Sequence, residues 1–184
     1  SKGSMLYAAK VSSLAFWKAV VADKSNFLER VLGLIESAGF RYCVVGGVAV
    51  NAYADPVVTQ DLDIVLAIED LEEARQLLPL EFRVEEFEHS LNVYDPGSRL
   101  HVQFQKDPQL GDLLARATRR EVMGLEMSIA APGDLIRMKV AAASDEARRA
   151  SKRQKDLADI VRLIEVFPEL ESAVPEAIKV RLFH

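Results

Sequence analysis

Asp61 and Asp63 are the side chains best placed to do chemistry in this sequence. They alternate within Asp61–Leu66, DLDIVL. The two-residue period of a strand sends both carboxylates to one face and turns Leu62 and Ile64 toward a core. Two acids on one face repel each other, so the pair gains from a shared divalent cation, and oxygen ligands favour Mg²⁺. With thirteen residues between, Gly46 and Gly47 precede them. The short apolar segment Arg41–Val45 predicts a buried strand running into this glycine pair. Backbone without side chains lets a ligand approach closely. Val48–Ala54 then predicts a short helix whose free N–H groups can hold a phosphate, and Asp55-Pro56 ends it. Either half alone is commonplace, since Gly-Gly usually marks a turn and D-x-D a solvated strand end. Joined at this spacing, they make a phosphate cradle facing a metal-ready carboxylate pair. In such a site ions grip a triphosphate, acidify an attacking hydroxyl and stabilise the leaving pyrophosphate.

These residues resemble the nucleotidyltransferase superfamily that includes DNA polymerase β, whose core motif is a Gly-Gly or Gly-Ser turn followed by a strand carrying h-D-h-D-h. The motifs V-G-G-x-A-V-x-A and P-x-x-T-x-D-L-D-I are similar to those of its AbiEii-type and minimal nucleotidyltransferase branch, found in abortive-infection and toxin–antitoxin systems. Ala130–Lys139, AAPGDLIRMK, and Ser151–Ile160, SKRQKDLADI, resemble that branch's helical tail, and together the blocks cover most of residues 27–168. The resemblance implies an α/β (α+β) nucleotidyltransferase fold, a mixed sheet flanked by helices with a helical C-terminal part. It implies catalytic and metal-binding roles for Asp61 and Asp63, nucleotide binding at Gly46, Gly47 and Thr59, an NTP substrate with Mg²⁺ or Mn²⁺, and an RNA, protein or small-molecule acceptor. A cognate toxin–antitoxin partner belongs to the same expectation.

Two positions depart from the pattern. Val57 stands where members of the branch often carry Arg. The third carboxylate of catalytic members comes from the next core strand, and the matching segment here, Leu100–Phe104, LHVQF, offers His101 and Gln103 on its polar face. Neither is an acid. His101 as a ligand would favour Mn²⁺ or a later transition metal, and the plainer alternative is that both are polar residues on a half-exposed strand. Asp107 has the right parity but sits before Pro108, beyond the expected strand end.

The rest of the chain must position these groups. Leu14–Val21 predicts a helix with Phe16, Trp17, Val20 and Val21 on its apolar side. The spacing of Phe27, Leu28, Val31, Leu34 and Ile35 predicts a second, capped by Ser25 or Asn26 and ended by Gly39. Leu71–Leu78 and Leu110–Ala117 read as helices; Phe82–Phe87, Leu100–Gln105 and Val122–Ile129 read as strands, with Asp95-Pro96-Gly97 in the loop joining the first two. Helices follow over Pro132–Ala143, Lys152–Val166 and Pro175–Leu182. The expected division is residues 1–24 as a tag remnant (Ser1–Ser4) and helix, 25–131 as the core, and 132–184 as the helical part.

At 184 residues and 49% hydrophobic content the chain can bury a real core. No apolar run spans a membrane and no signal peptide is evident, so a cytoplasmic location is expected. The one cysteine, Cys43, falls in the first buried strand and reads as a core thiol. Net charge is −5, and residues 1–131 hold 13 basic and 19 acidic side chains. The C-terminal part is nearly neutral and concentrates Arg148, Arg149, Lys152, Arg153 and Lys155 at a helix start, where the dipole disfavours cations. An anionic partner accounts for that placement, with Lys139 and Lys155 reaching a triphosphate or nucleic-acid backbone and Asp156 and Asp159 pairing with the cations or capping the helix. A solvated charged face is the alternative. The net acidity argues against broad nucleic-acid binding.

The sequence therefore supports a metal-dependent nucleotidyltransferase. A catalytically inactive nucleotide-binding module and a protein acting mainly through a partner are the other two readings.

Overall fold

In a computed structural model, which describes residues 2–182, the glycine-bearing strand lies at the centre of the sheet. β1 (Tyr42–Val45) is buried at every position, as its apolar run YCVV requires of a strand covered on both faces. It pairs antiparallel with β2 (Asp61–Leu66), placing Val45 opposite Asp63. β5 (His101–Gln105) lies parallel to β2 on the other side. An antiparallel meander of β4 (Ser90–Tyr94) and β3 (Arg83–Glu86) completes that edge. Beyond β1 come β7 (Leu125–Ile129), parallel to it, and β6 (Thr118–Val122), so the mixed seven-stranded order is β3-β4-β5-β2-β1-β7-β6. The architecture is α/β, as expected.

Two strand assignments differ from the sequence reading. Ser90–Tyr94 is a strand rather than part of a loop; Leu91 and Val93 are buried as strand alternation predicts, Asn92 between them is buried as well, and the alternating run is only a few residues long. Val122–Ile129 is the tip and second arm of a hairpin. Met123 and Gly124 turn it at φ 51 and 91, the left-handed geometry that suits a tight hairpin, and the charged run TRREV of β6 reads poorly as a strand because it is an exposed edge.

The helices differ mainly at their ends. α1 (Lys2–Val20) starts well before Leu14, and of its expected apolar side only Trp17 is fully buried, with Val21 just beyond the helix, while Phe16 stays 59% exposed. α2 (Phe27–Ser37) buries Phe27, Leu28, Val31, Leu32 and Ile35 along one stripe. Neither Ser25 nor Asn26 caps it. The Asp23 carboxylate accepts the Phe27 and Leu28 N–H groups at 2.9 and 3.1 Å, because Asn26 binds Lys18 and the Ser25 hydroxyl bonds Asp95. α3 (Gly46–Val50) begins at the glycine pair itself, two residues before the expected start. α4 (Leu71–Leu77) matches its expected span within a residue. Leu110–Ala117 reduces to α5 (Leu113–Arg116) after a 3₁₀ turn over Pro108–Asp112.

α6 (Pro132–Ser144), α7 (Ala150–Val166) and α8 (Glu176–Leu182) form the C-terminal part. Leu135, Ile136, Ile160, Leu163 and Ile178 from these helices join the same hydrophobic cluster as Val44, Leu62, Ile64 and Phe104 of the sheet. That shared core fixes α6 and α7 over the end of β2. Cys43 is a buried free thiol, which burial pushes up to about 12. No helix among the described residues is long and apolar enough to cross a membrane.

Candidate active site

A cleft of about 580 Å³ opens where β2 meets α7, and Gly47, Thr59, Asp61, Asp63, His101, Lys139 and Lys155 all line it. The register puts Asp61 beside His101 and Asp63 beside Gln103. Asp61 is held on both oxygens: His101 Nδ1 lies 3.3 Å from one and Lys152 Nζ 3.3 Å from the other. Asp63 sits deeper. Burial, then the neighbouring Asp61 charge, pushes its carboxyl up to about 6 against the pull of Lys139, Lys152 and Arg148.

The two glycines do different work. Gly46 has φ +72, and a Cβ there would lie 2.3 Å from an Asp63 carboxylate oxygen. Its bareness lets Asp63 pack against the turn, so Gly46 is a structural necessity of the acid. Gly47 lines the cleft, and a Cβ there would meet the Thr59 hydroxyl at an ordinary 3.7 Å. Gly46→Ala is therefore expected to cost about 2 kcal/mol or more from left-handed strain and overlap, whereas Gly47→Ala stays within about 1 kcal/mol of wild type. Gly47→Val is expected to keep the fold and lose NTP binding, as read by a thermal melt beside a nucleotide titration. A Gly47→Val melt far below wild type would make that glycine structural instead.

Thr59 is occupied locally. Its hydroxyl accepts the Asp61 N–H at 3.2 Å, and its carbonyl accepts Trp17 Nε1 at 3.2 Å, so it shapes the approach to β2. Lys139 differs from expectation. It is 12% exposed and paired with Asp159 at 2.9 Å and Asp156 at 3.2 Å. Burial opposes its charge, but the two acids outweigh burial and raise its pKa. It is a buried counter-charge to the two carboxylates at the cleft wall. Asp156, 1% exposed, also takes Arg148 at 2.7 Å, as the expected pairing of acids with the basic run requires. Lys155 is exposed at the cleft wall and makes no ion pair among the described residues.

Two cations escaped the sequence reading as individuals. Lys152 was one of five in a basic run, and only the packing of α7 picks it out as the partner of Asp61. Arg162 gave no sequence signal. It reaches from α7 to Asn51 Oδ1 at 2.7 Å and to the Asp55 carbonyl, while Asn51 brackets Val57 through both its backbone groups. A guanidinium thus serves the loop at Val57, supplied from a distant helix.

Of the third-position candidates, His101 touches Asp61, and Gln103 lies between Asp63 and Asn92 in the strand register. Asp107 follows the end of β5, where its carboxylate caps the 3₁₀ turn by accepting Gln109 N–H at 2.9 Å. Among the described residues no group of three or more His, Cys, Asp and Glu side chains could hold an ion unaided. Asp61 and Asp63 suit an ion that draws its remaining oxygens from a triphosphate.

Sheet order and cleft together define a nucleotidyltransferase-type α/β fold. No protein-family model matches the sequence, and no curated protein does. Solved structures do resemble it. ANT(2'')-Ia in complex with adenylyl-2''-tobramycin aligns with a TM-score of 0.62 at 12% identity, over 85% of this chain and 97% of that one. The lincosamide antibiotic adenylyltransferase LnuA, lincomycin-bound, aligns at 0.55 and 10% identity over 76% and 98%. The Megavirus polyadenylate synthase gives 0.53 and 14% identity over 91% of this chain and 36% of that one. At these identities the likeness establishes the fold.

Proposed function

We propose that this protein transfers a nucleoside monophosphate from an NTP to a hydroxyl acceptor, with a divalent ion held between Asp61, Asp63 and the triphosphate. The observation that carries this reading is the convergence on one cleft of the carboxylate pair, Gly47 at the start of α3, and the cations Lys152, Lys155 and Arg148. The ion, Mg²⁺ or Mn²⁺, would supply charge neutralisation at the phosphates and a more acidic attacking hydroxyl. Gly47 gives the triphosphate room against the backbone. Lys155 and Lys152 face it as charge partners, and the Lys139–Asp156–Asp159 network ties α7 to α6 beside the cleft. The acceptor hydroxyl releases its proton to solvent as its oxygen bonds to the α-phosphorus, and the bond from that phosphorus to the α,β-bridging oxygen breaks, releasing pyrophosphate. Two of the neighbouring structures hold different antibiotics, adenylyl-2''-tobramycin and lincomycin, and a third is a polyadenylate synthase, so the acceptor is sought in this chain's own cavities and not in the fold. Membership of the AbiEii-type branch, and with it a toxin–antitoxin partner, rests on the sequence motifs.

One observation favours a nucleotide-binding module without transfer activity: Gln103, not an acid, stands beside Asp63. Incubation with each α-labelled NTP, Mg²⁺ or Mn²⁺ and total cellular RNA or small hydroxyl acceptors tests the two readings. Transfer predicts labelled product from wild type, and more from Gln103→Asp, which adds a ligand at the cost of carboxylate repulsion in metal-free buffer. Tight NTP binding with no product under any condition would select the inactive module. A Gln103→Asp protein whose melting temperature ignores Mg²⁺ would show that position 103 does not serve the ion.

A further inference from the structure

A second cavity of about 620 Å³ adjoins the cleft and shares Gln60 and His101 with it. A row of side chains crosses four strands to connect them. Asp61 on β2 is in register with His101 on β5. The His101 ring meets Tyr94 of β4 edge to face, with centroids 5.4 Å apart. Arg83 of β3, in register with Tyr94, lays its guanidinium 4.5 Å from the Tyr94 ring centre. Three strand spacings put Arg83 roughly 14 Å from Asp61.

The acids around this cavity already have partners. Glu81 pairs with Arg30. Asp95, 5% exposed, takes the Ser25 hydroxyl. Glu85 engages one nitrogen of Arg83 at 3.1 Å, and the Arg83 side chain stays 67% exposed with donors to spare. Arg99 is exposed and makes no ion pair among the described residues, while its backbone N–H is anchored to the Val21 carbonyl at 2.7 Å. The wall is rich in unfilled guanidinium donors, whose planar fork matches phosphate oxygens.

We propose that the second cavity is the acceptor site and takes a hydroxyl acceptor that carries a phosphate, the hydroxyl lying at His101 and Asp61 and the phosphate on Arg83 and Arg99. The assignment rests on the nucleotidyl-transfer reading above. Such a phosphate comes from the last nucleotides of a single strand or from a phosphorylated small molecule, and the roughly 14 Å reach favours the longer one. The test compares wild type with Arg83→Ala/Arg99→Ala, using a fluorescent RNA trinucleotide with a free 3′-hydroxyl, ribose 5-phosphate, and NTP with Mg²⁺. Both arginines are exposed, so the melting temperature should hold.

Trinucleotide affinity is expected to fall at least tenfold in the variant. Its slope of log K against log salt should flatten by about 0.7, the value for one phosphate contact on a single strand. NTP affinity should not change. Loss confined to ribose 5-phosphate would support the same site with a small acceptor. Equal affinity of both proteins for both probes would overturn the proposal, as would a parallel loss of NTP binding, which would merge the cavity with the nucleotide cleft. Wild type that binds no NTP at all would instead strike the transfer reading, independently of the arginine comparison.

Discussion

Replacing Asp61 and Asp63 together with alanine is expected to remove metal-dependent NTP binding, with affinity in Mg²⁺ falling about 100-fold or more, since charge-assisted ligation by two carboxylates is lost at once. The cations should keep a different sort of affinity. Lys152 loses its partner Asp61, and Lys155 is unpaired among the described residues. A weak, salt-sensitive and metal-indifferent attraction for triphosphate should therefore persist in the variant. Calorimetry with and without Mg²⁺ reads both effects. Equal Mg²⁺-dependent affinity in variant and wild type would remove these acids from the site.

The second large effect is on stability. The folded protein holds the Asp63 carboxyl at about 6, above its ordinary 3.8, so the folded state binds that proton more tightly than the unfolded chain. The resulting stabilisation is fully present below the ordinary value and is lost as pH rises through about 6. That rise from 3.8 to about 6 corresponds to about 3 kcal/mol. Without divalent ions, wild type should lose stability on this account between pH 4 and pH 8, and Asp63→Asn, which cannot ionise, should not. Urea unfolding of both proteins across that range checks it. Parallel curves would mean that Asp63 is not under strain from burial and from Asp61.

Legibility in the sequence tracked how local each cause was. The alternation in DLDIVL and the apolar run before the glycines depend on a few neighbouring residues, and β1, β2 and β5 emerge close to where they were expected. The alternation in SLNVY was too short to mark β4, and a Met-Gly turn hid the hairpin of β6 and β7, because left-handed backbone at methionine is set by tertiary context. The same holds in the site. Asp61 and Asp63 were evident from their spacing, but which cation in a run of five meets Asp61 depends on how α7 lies across the sheet. Lys139 looked like a free arm because nothing local reveals that two acids one helix away enclose it. Gly46 and Gly47 looked alike in the sequence, and only the position of the Asp63 oxygen tells them apart.

The Lys152–Asp61 contact means that the protein brings its own counter-ion to the place proposed for a metal. A divalent ion arriving alone must evict an ammonium group whose ion pair among the described residues is with Asp61, so it exchanges one cation for another at little gain. Arriving with a triphosphate, the same ion releases Lys152 toward new negative oxygens, and both exchanges become favourable. Metal and nucleotide are thereby linked, each raising the affinity for the other by the same factor. In a cell where free Mg²⁺ is always abundant, such a site would respond to the supply of nucleotide rather than to that of metal.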